Sequence, residues 1–148
     1  MSADDRGDML RALREIKKGR WKNAENLVAA TRDPLAAKLY YWLAYTKNAG
    51  KPSFARVTGF MTQNPDWPGQ RQMRLTAEES LGDAVPRDNV LDWFDRYEPL
   101  SSEGMVRYLE ALQAEGQKDK PQIAVRRWWR EALITPDQQD RFLKQYGR

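Results

Sequence analysis

The chain has 148 residues, of which 41% are hydrophobic and 31% charged, the size and balance of a folded domain and not of a disordered segment. Its net charge of +4, from 25 basic and 21 acidic residues, biases it mildly toward anionic partners and is too weak to call for nucleic acid. Cysteine and histidine are both missing, which excludes disulfides, thiol chemistry and a Ser-His-Asp triad and removes the commonest transition-metal ligand.

No apolar run is long enough to span a bilayer, and Met1 to Arg6 has no apolar signal core. We expect no cofactor and no metal. Residues 1–8 read as a flexible N-terminal segment, with Asp4, Asp5 and Asp8 favouring the positive dipole end of a first helix. Leu10, Leu13 and Ile16 then recur at helical spacing, followed past Gly19 by Trp21, Ala24, Leu27 and Val28. "TRDPL" breaks the pattern, and Asp33 with Pro34 opens the next helix as cap and first-turn proline. That helix, "KLYYWLAYTK", is aromatic on several sides, with Tyr41 and Tyr45 as i, i+4 neighbours. Core packing is its first reading and a sugar-stacking platform its second.

Phe54, Val57, Phe60 and Met61 form a further stripe that ends in "TQNPDWPGQ". Pro65 and Pro68 stop one helix and set the path into the next, so Trp67 reads as a wedge filling the join, with ligand stacking as the alternative. Met73, Leu75, Ala77 and Leu81 follow, in a helix that also carries Glu78 and Glu79. Adjacent helical residues point about 100° apart, so this pair does not converge on one sugar and reads as solvated charge. Val90, Leu91, Phe94 and Tyr97 precede "EPLSSEG", where Ser101 or Ser102 can cap a helix bearing Met105, Tyr108, Leu109 and Leu112. The most basic stretch, "KDKPQIAVRRWWRE", sets Arg126, Arg127 and Arg130 around Trp128 and Trp129. At least one of those indoles should face a neighbouring hairpin, while the arginines offer contacts to an anionic polymer or partner. A last stripe, Phe142, Leu143 and Tyr146, follows the break at Thr135 and Pro136.

Gly19, Gly50, Gly82 and Gly116 lie 31, 32 and 34 residues apart, each after a helical segment. No segment alternates with period two. The expectation is an all-α fold of about nine helices paired as hairpins, a tetratricopeptide-like solenoid forming a single domain over 9–148.

Four phrases carry a resemblance: "GRWKNAENLVAATRDPLAAKLYYWL", "FMTQNPDWPGQRQMRLTAEESL", "VLDWFDRYEPLSSEGMVRYLEAL", and "AVRRWWRE" followed by "QDRFLKQYG". In order and spacing the chain, over roughly residues 9–147, resembles the N-terminal superhelical region of bacterial soluble lytic murein transglycosylases. The most specific element is the Asn-Pro-x-Trp-Pro phrase ahead of an Ala-Glu helix. The resemblance implies a right-handed α-superhelical scaffold in the periplasm, acting on peptidoglycan with a separate lysozyme-like domain. That domain cleaves the glycan with one glutamate in a Glu-Ser context and leaves an anhydro end. Glu79-Ser80 spells the same pair but aligns with a scaffold helix, so the chain itself is expected to be non-catalytic. Peptidoglycan, the chain's own catalytic domain or another protein are the implied partners. Arg126, Arg127, Arg130, Trp67 and Tyr41 are the expected contact residues. A protein–protein adaptor using a solenoid groove is the competing class.

Overall fold

A side-chain oxygen at the right place starts three of the helices. Asp33 accepts from the Leu35 N–H at 2.9 Å and puts Pro34 at the first helical position. That N–H holds the Asp33 carboxyl below the usual carboxylate range. Ser53 accepts from Arg56 N, and Ser101 from Gly104 N at 2.9 Å. In this computed structural model, which describes residues 3–117, 120–131, 136, 137, 140 and 144, all regular structure is helical. The elements are α1 Ala3–Lys17, α2 Trp21–Ala29, α3 Pro34–Thr46, α4 Phe54–Gln63, α5 Gln70–Glu79, α6 Arg87–Arg96, α7 Ser102–Ala114 and α8 Lys120–Glu131. The cap at Thr135 and the stripe Phe142, Leu143 and Tyr146 lie outside the described residues.

The chain divides into two compact units, 1–76 and 77–148, where the sequence suggests one domain; the division falls inside α5. In the first unit α1 packs on α2, α2 on α3 and α3 on α4. Small residues allow the close approach: Ala12, Ala24 and Ala36 are fully buried, with Met9, Val28, Val57 and Met73 around them. Residues 3–8, expected to be a flexible lead-in, are already helical. The buried side of α1 is Met9 and Ala12; Leu10, counted in the expected stripe, is 51% exposed, and Leu13 and Ile16 are half-buried. Arg56 of α4 joins three helices. It lies 5.2 Å from the Tyr41 ring centroid on α3 and 3.8 Å from Glu25 on α2.

In the second unit α6 packs on α7 and α7 on α8. Val90, Trp93 and Phe94 face inward from α6, and Met105, Leu109 and Leu112 from α7. Trp128 of α8 is 3% exposed and completes a cluster with Met105 and Leu109, so one of the paired tryptophans does face the neighbouring helix. Trp129 is half-buried against the same cluster.

Positive backbone φ angles mark the helix ends at Gly19, Gly50 and Gly116, as the glycine spacing suggests. Gly82 is not among them. Gly69, inside the proline-rich loop, takes that conformation with φ +81°.

Candidate functional site

The loop "TQNPDWPGQ" fastens itself. Asn64, 6% exposed, caps the end of α4 by donating from Nδ2 to Phe60 O at 2.9 Å. The Gln70 side chain donates to Asn64 O at 3.1 Å and to Trp67 O at 2.9 Å, closing the loop on the start of α5. Trp42 on α3 donates its indole N–H to Pro68 O at 2.7 Å. Gly69 is required twice over: by its φ, and because a Cβ there would sit 2.7 Å from Thr46 Cγ2.

Trp67 is half-buried in this joint. Its ring meets Trp42 and Phe60 edge-to-face, each with centroids 5.9 Å apart, and Lys38 lies over it at 5.7 Å. Such contacts are worth about 0.5–1.5 kcal/mol per ring pair. Tyr41 belongs to the same ring series: Tyr45 stacks on it at 5.8 Å with an interplanar angle of 24°, Tyr40 meets it edge-on at 5.2 Å, and Arg56 approaches it. Tyr45 in turn meets Phe60, so the rings run unbroken from Trp21 through Tyr40, Tyr41, Tyr45 and Phe60 to Trp67 and Trp42. Tyr41 itself is half-buried, with a tyrosine stacked on its ring and an arginine beside it. Burial raises the Tyr40 and Tyr45 hydroxyl pKa values above 10.

Arg126, Arg127 and Arg130 are exposed on α8 in the second unit. Arg127 pairs with Glu98 at 3.0 Å, and Arg130 folds its Nε onto Arg126 O at 3.3 Å. The three stay near one another along a turn of helix. Each of the two units therefore holds part of the expected contact set: Trp67 and Tyr41 in the first, the arginines in the second.

Sequence reasoning missed Glu78. Glu79 is exposed, as expected of a solvated charge, but Glu78 is only 1% exposed. Its carboxylate accepts from Leu100 N at 2.9 Å, Ser101 N at 2.8 Å and Ser101 Oγ at 2.7 Å. The backbone N–H groups ahead of α7 thus point at a buried anion, the arrangement a helix start favours. A Cβ on Gly104 would come within 2.4 Å of Glu78 Oε2, so glycine makes the room the carboxylate needs. The available signal was the pairing of a carboxylate beside Ala77 in a buried stripe with a downstream Pro-Leu-Ser-Ser-x-Gly turn rich in backbone donors. Glu78 spends its carboxylate on these bonds to the entry of α7.

Among the described residues no three Asp or Glu side chains gather to hold a metal ion, and no helix is long and apolar enough to cross a membrane. No protein-family model, curated protein or solved structure matches the chain.

Proposed function

We propose that the chain is the non-catalytic scaffold region of a soluble lytic transglycosylase, a right-handed α-superhelix of about nine helices in stacked hairpins. In this reading it works in the periplasm, in peptidoglycan cleavage and turnover. It holds glycan strands and their peptide carboxylates for a lysozyme-like domain elsewhere in the parent protein.

One observation carries the reading. The residues that make the sequence resemblance specific are spent on helix joints: Asn64, Trp67 and Gly69 on the turn after α4, Glu78, Ser101 and Gly104 on the entry to α7. A segment whose most particular side chains fix the angles between helices is built to hold a shape. Its contacts with polymer then fall to the exposed cations, and Arg126 and Arg130 on α8 are the leading pair. Trp67 and Tyr41 lie in the first unit, packed among other rings. Within each unit, α1 to α4 and α6 to α8 pack in chain order, which is the other support, since helical arrays bury their stripes by stacking.

The test is retention on purified peptidoglycan sacculi. The chain should pellet with sacculi at low salt and be released at high salt, without clearing their turbidity. Replacing Arg126, Arg127 and Arg130 together by Gln should abolish most of the retention while leaving the helical content unchanged. Failure to pellet at any salt concentration would remove the scaffold reading and leave the protein–protein adaptor; clearing of turbidity would make the chain an enzyme.

A further inference from the structure

The first hairpin carries a groove that the joints and the α8 arginines do not use. It lies open between α1 and α2, has a volume of about 590 Å³, and is lined by Arg11, Arg14 and Glu15 of α1, by Lys18 just past its end, and by Asn23, Asn26 and Leu27 of α2. The spacing of these positions explains the groove: 11, 14, 15 and 18 form one side of α1, and 23 and 26 one side of α2. Met9, Ala12, Ala24 and Val28 are the buried positions of the same two helices, so the groove lies apart from the hairpin's buried side.

Its charges are unequally committed. The carboxylate of Glu15 is saturated, with Arg20 at 2.8 Å, Lys18 at 3.8 Å and the Asn23 amide at 3.3 Å. Arg11 is paired with Asp8. Arg14 and Asn26 make no side-chain hydrogen bond or ion pair among the described residues. The groove thus holds three cations, Arg11, Arg14 and Lys18, against the one occupied carboxylate of Glu15; of the three, Arg14 is the one whose side chain has no partner among the described residues, and the Asn26 amide likewise has none. A guanidinium takes a carboxylate with two parallel hydrogen bonds, and a carboxamide can both donate to and accept from a peptide backbone.

We infer that the α1/α2 groove binds a short acidic peptide, with Arg14 taking a side-chain or terminal carboxylate and Asn26 pairing with the peptide main chain. The volume lies in the range of about 300–1,000 Å³ usual for small-ligand clefts. An occupant that covers Arg14 must bring an acceptor for it, because burying a guanidinium without one is costly. The inference stands independently of the scaffold reading, since an acidic peptide from any source meets the same chemistry.

The experiment is fluorescence anisotropy with the labelled peptide Ala-Glu-Glu-Ala and its neutral counterpart Ala-Gln-Gln-Ala, at low salt. The acidic peptide should bind at least tenfold more tightly than the neutral one. Arg14→Gln should weaken it about tenfold and Asn26→Leu severalfold. Lys47→Gln removes one exposed positive charge elsewhere in the same unit and should change binding less than twofold. Equal binding of the two peptides, or an Arg14→Gln variant within twofold of the original chain while circular dichroism shows it folded, overturns the inference. Should Arg14→Gln unfold the hairpin, Arg14→Lys gives the decision: it keeps the charge and loses the paired hydrogen bonds, so binding must fall by severalfold. Peptide binding with no retention on sacculi would remove the scaffold reading alone; retention with no peptide preference would remove this inference alone.

Discussion

The two units solve the same problem, turning the chain from one helix into another, with opposite chemistry. After α4 the turn is held by rings and one special glycine: Trp67 between Trp42 and Phe60, with Gly69 against Thr46. Ahead of α7 it is held by a buried carboxylate that collects two backbone N–H groups and a hydroxyl. The ring joint shares its energy over many weak contacts, so its loss is graded. The carboxylate joint concentrates its energy in a few strong hydrogen bonds to one buried group, so its loss is abrupt.

The largest expected effect is Glu78→Ala. It should cost the second unit about 4 kcal/mol in urea unfolding, at the level of breaking a buried charged network. Glu78→Gln keeps the shape but turns an NH₂ group toward donors, and should cost about half as much. A loss under about 1 kcal/mol for Glu78→Ala would erase the contrast between the joints. Next is Gly69→Ala in the first unit, expected at about 2 kcal/mol because both the positive φ and the Thr46 contact resist a Cβ. Trp67→Ala should cost about 2 kcal/mol, below the value for a fully buried tryptophan because the ring is half-exposed. Each unit holds three tryptophans, Trp21, Trp42 and Trp67 against Trp93, Trp128 and Trp129, so single Trp→Phe backgrounds let fluorescence follow either joint.

The sequence made the ring joint legible and hid the carboxylate one. Prolines, a tryptophan and a glycine packed into nine residues announce a turn with a large plug, and Trp67 does plug it. The Asp33-Pro34 helix start was equally open, since cap and first-turn proline are adjacent in the chain. Glu78 was not, because its acceptor role depends on donors 22 and 23 residues away. Charge and neighbours alone put it on a wet helix face. Leu10 failed for the related reason that period-3.6 spacing fixes a face but not which of two adjacent residues lies at its centre. Of the expected contact residues, Arg126, Arg127 and Arg130 are exposed, while Tyr41 stacks on Tyr45 beside Arg56, a cation that sequence patterning did not bring to it.

The smallest effect sharpens the comparison by pH. Burial raises the hydroxyl pKa values of Tyr40 and Tyr45 in the first unit and of Tyr108 in the second. A tyrosine is neutral below its pKa, so a raised folded value leaves its contribution whole below the unfolded value of about 10 and removes it as pH rises through the folded value. Stability should thus be insensitive to these groups up to about pH 10 and decline above it, more in the first unit than in the second. Tyrosinate absorbance with unit-specific tryptophan fluorescence reads both. An equal decline in the two units would show that ring burial does not distinguish them.

Amide hydrogen exchange at Leu100 and Ser101 tests most directly whether the chain's distinctive residues are spent on holding helices in place. The account predicts protection of about a hundredfold or more at both amides in the original chain, lost in Glu78→Ala while the Asn64 and Trp67 amides in the first unit keep theirs. Exchange of Leu100 and Ser101 at the rate of an open loop in the original chain would contradict it.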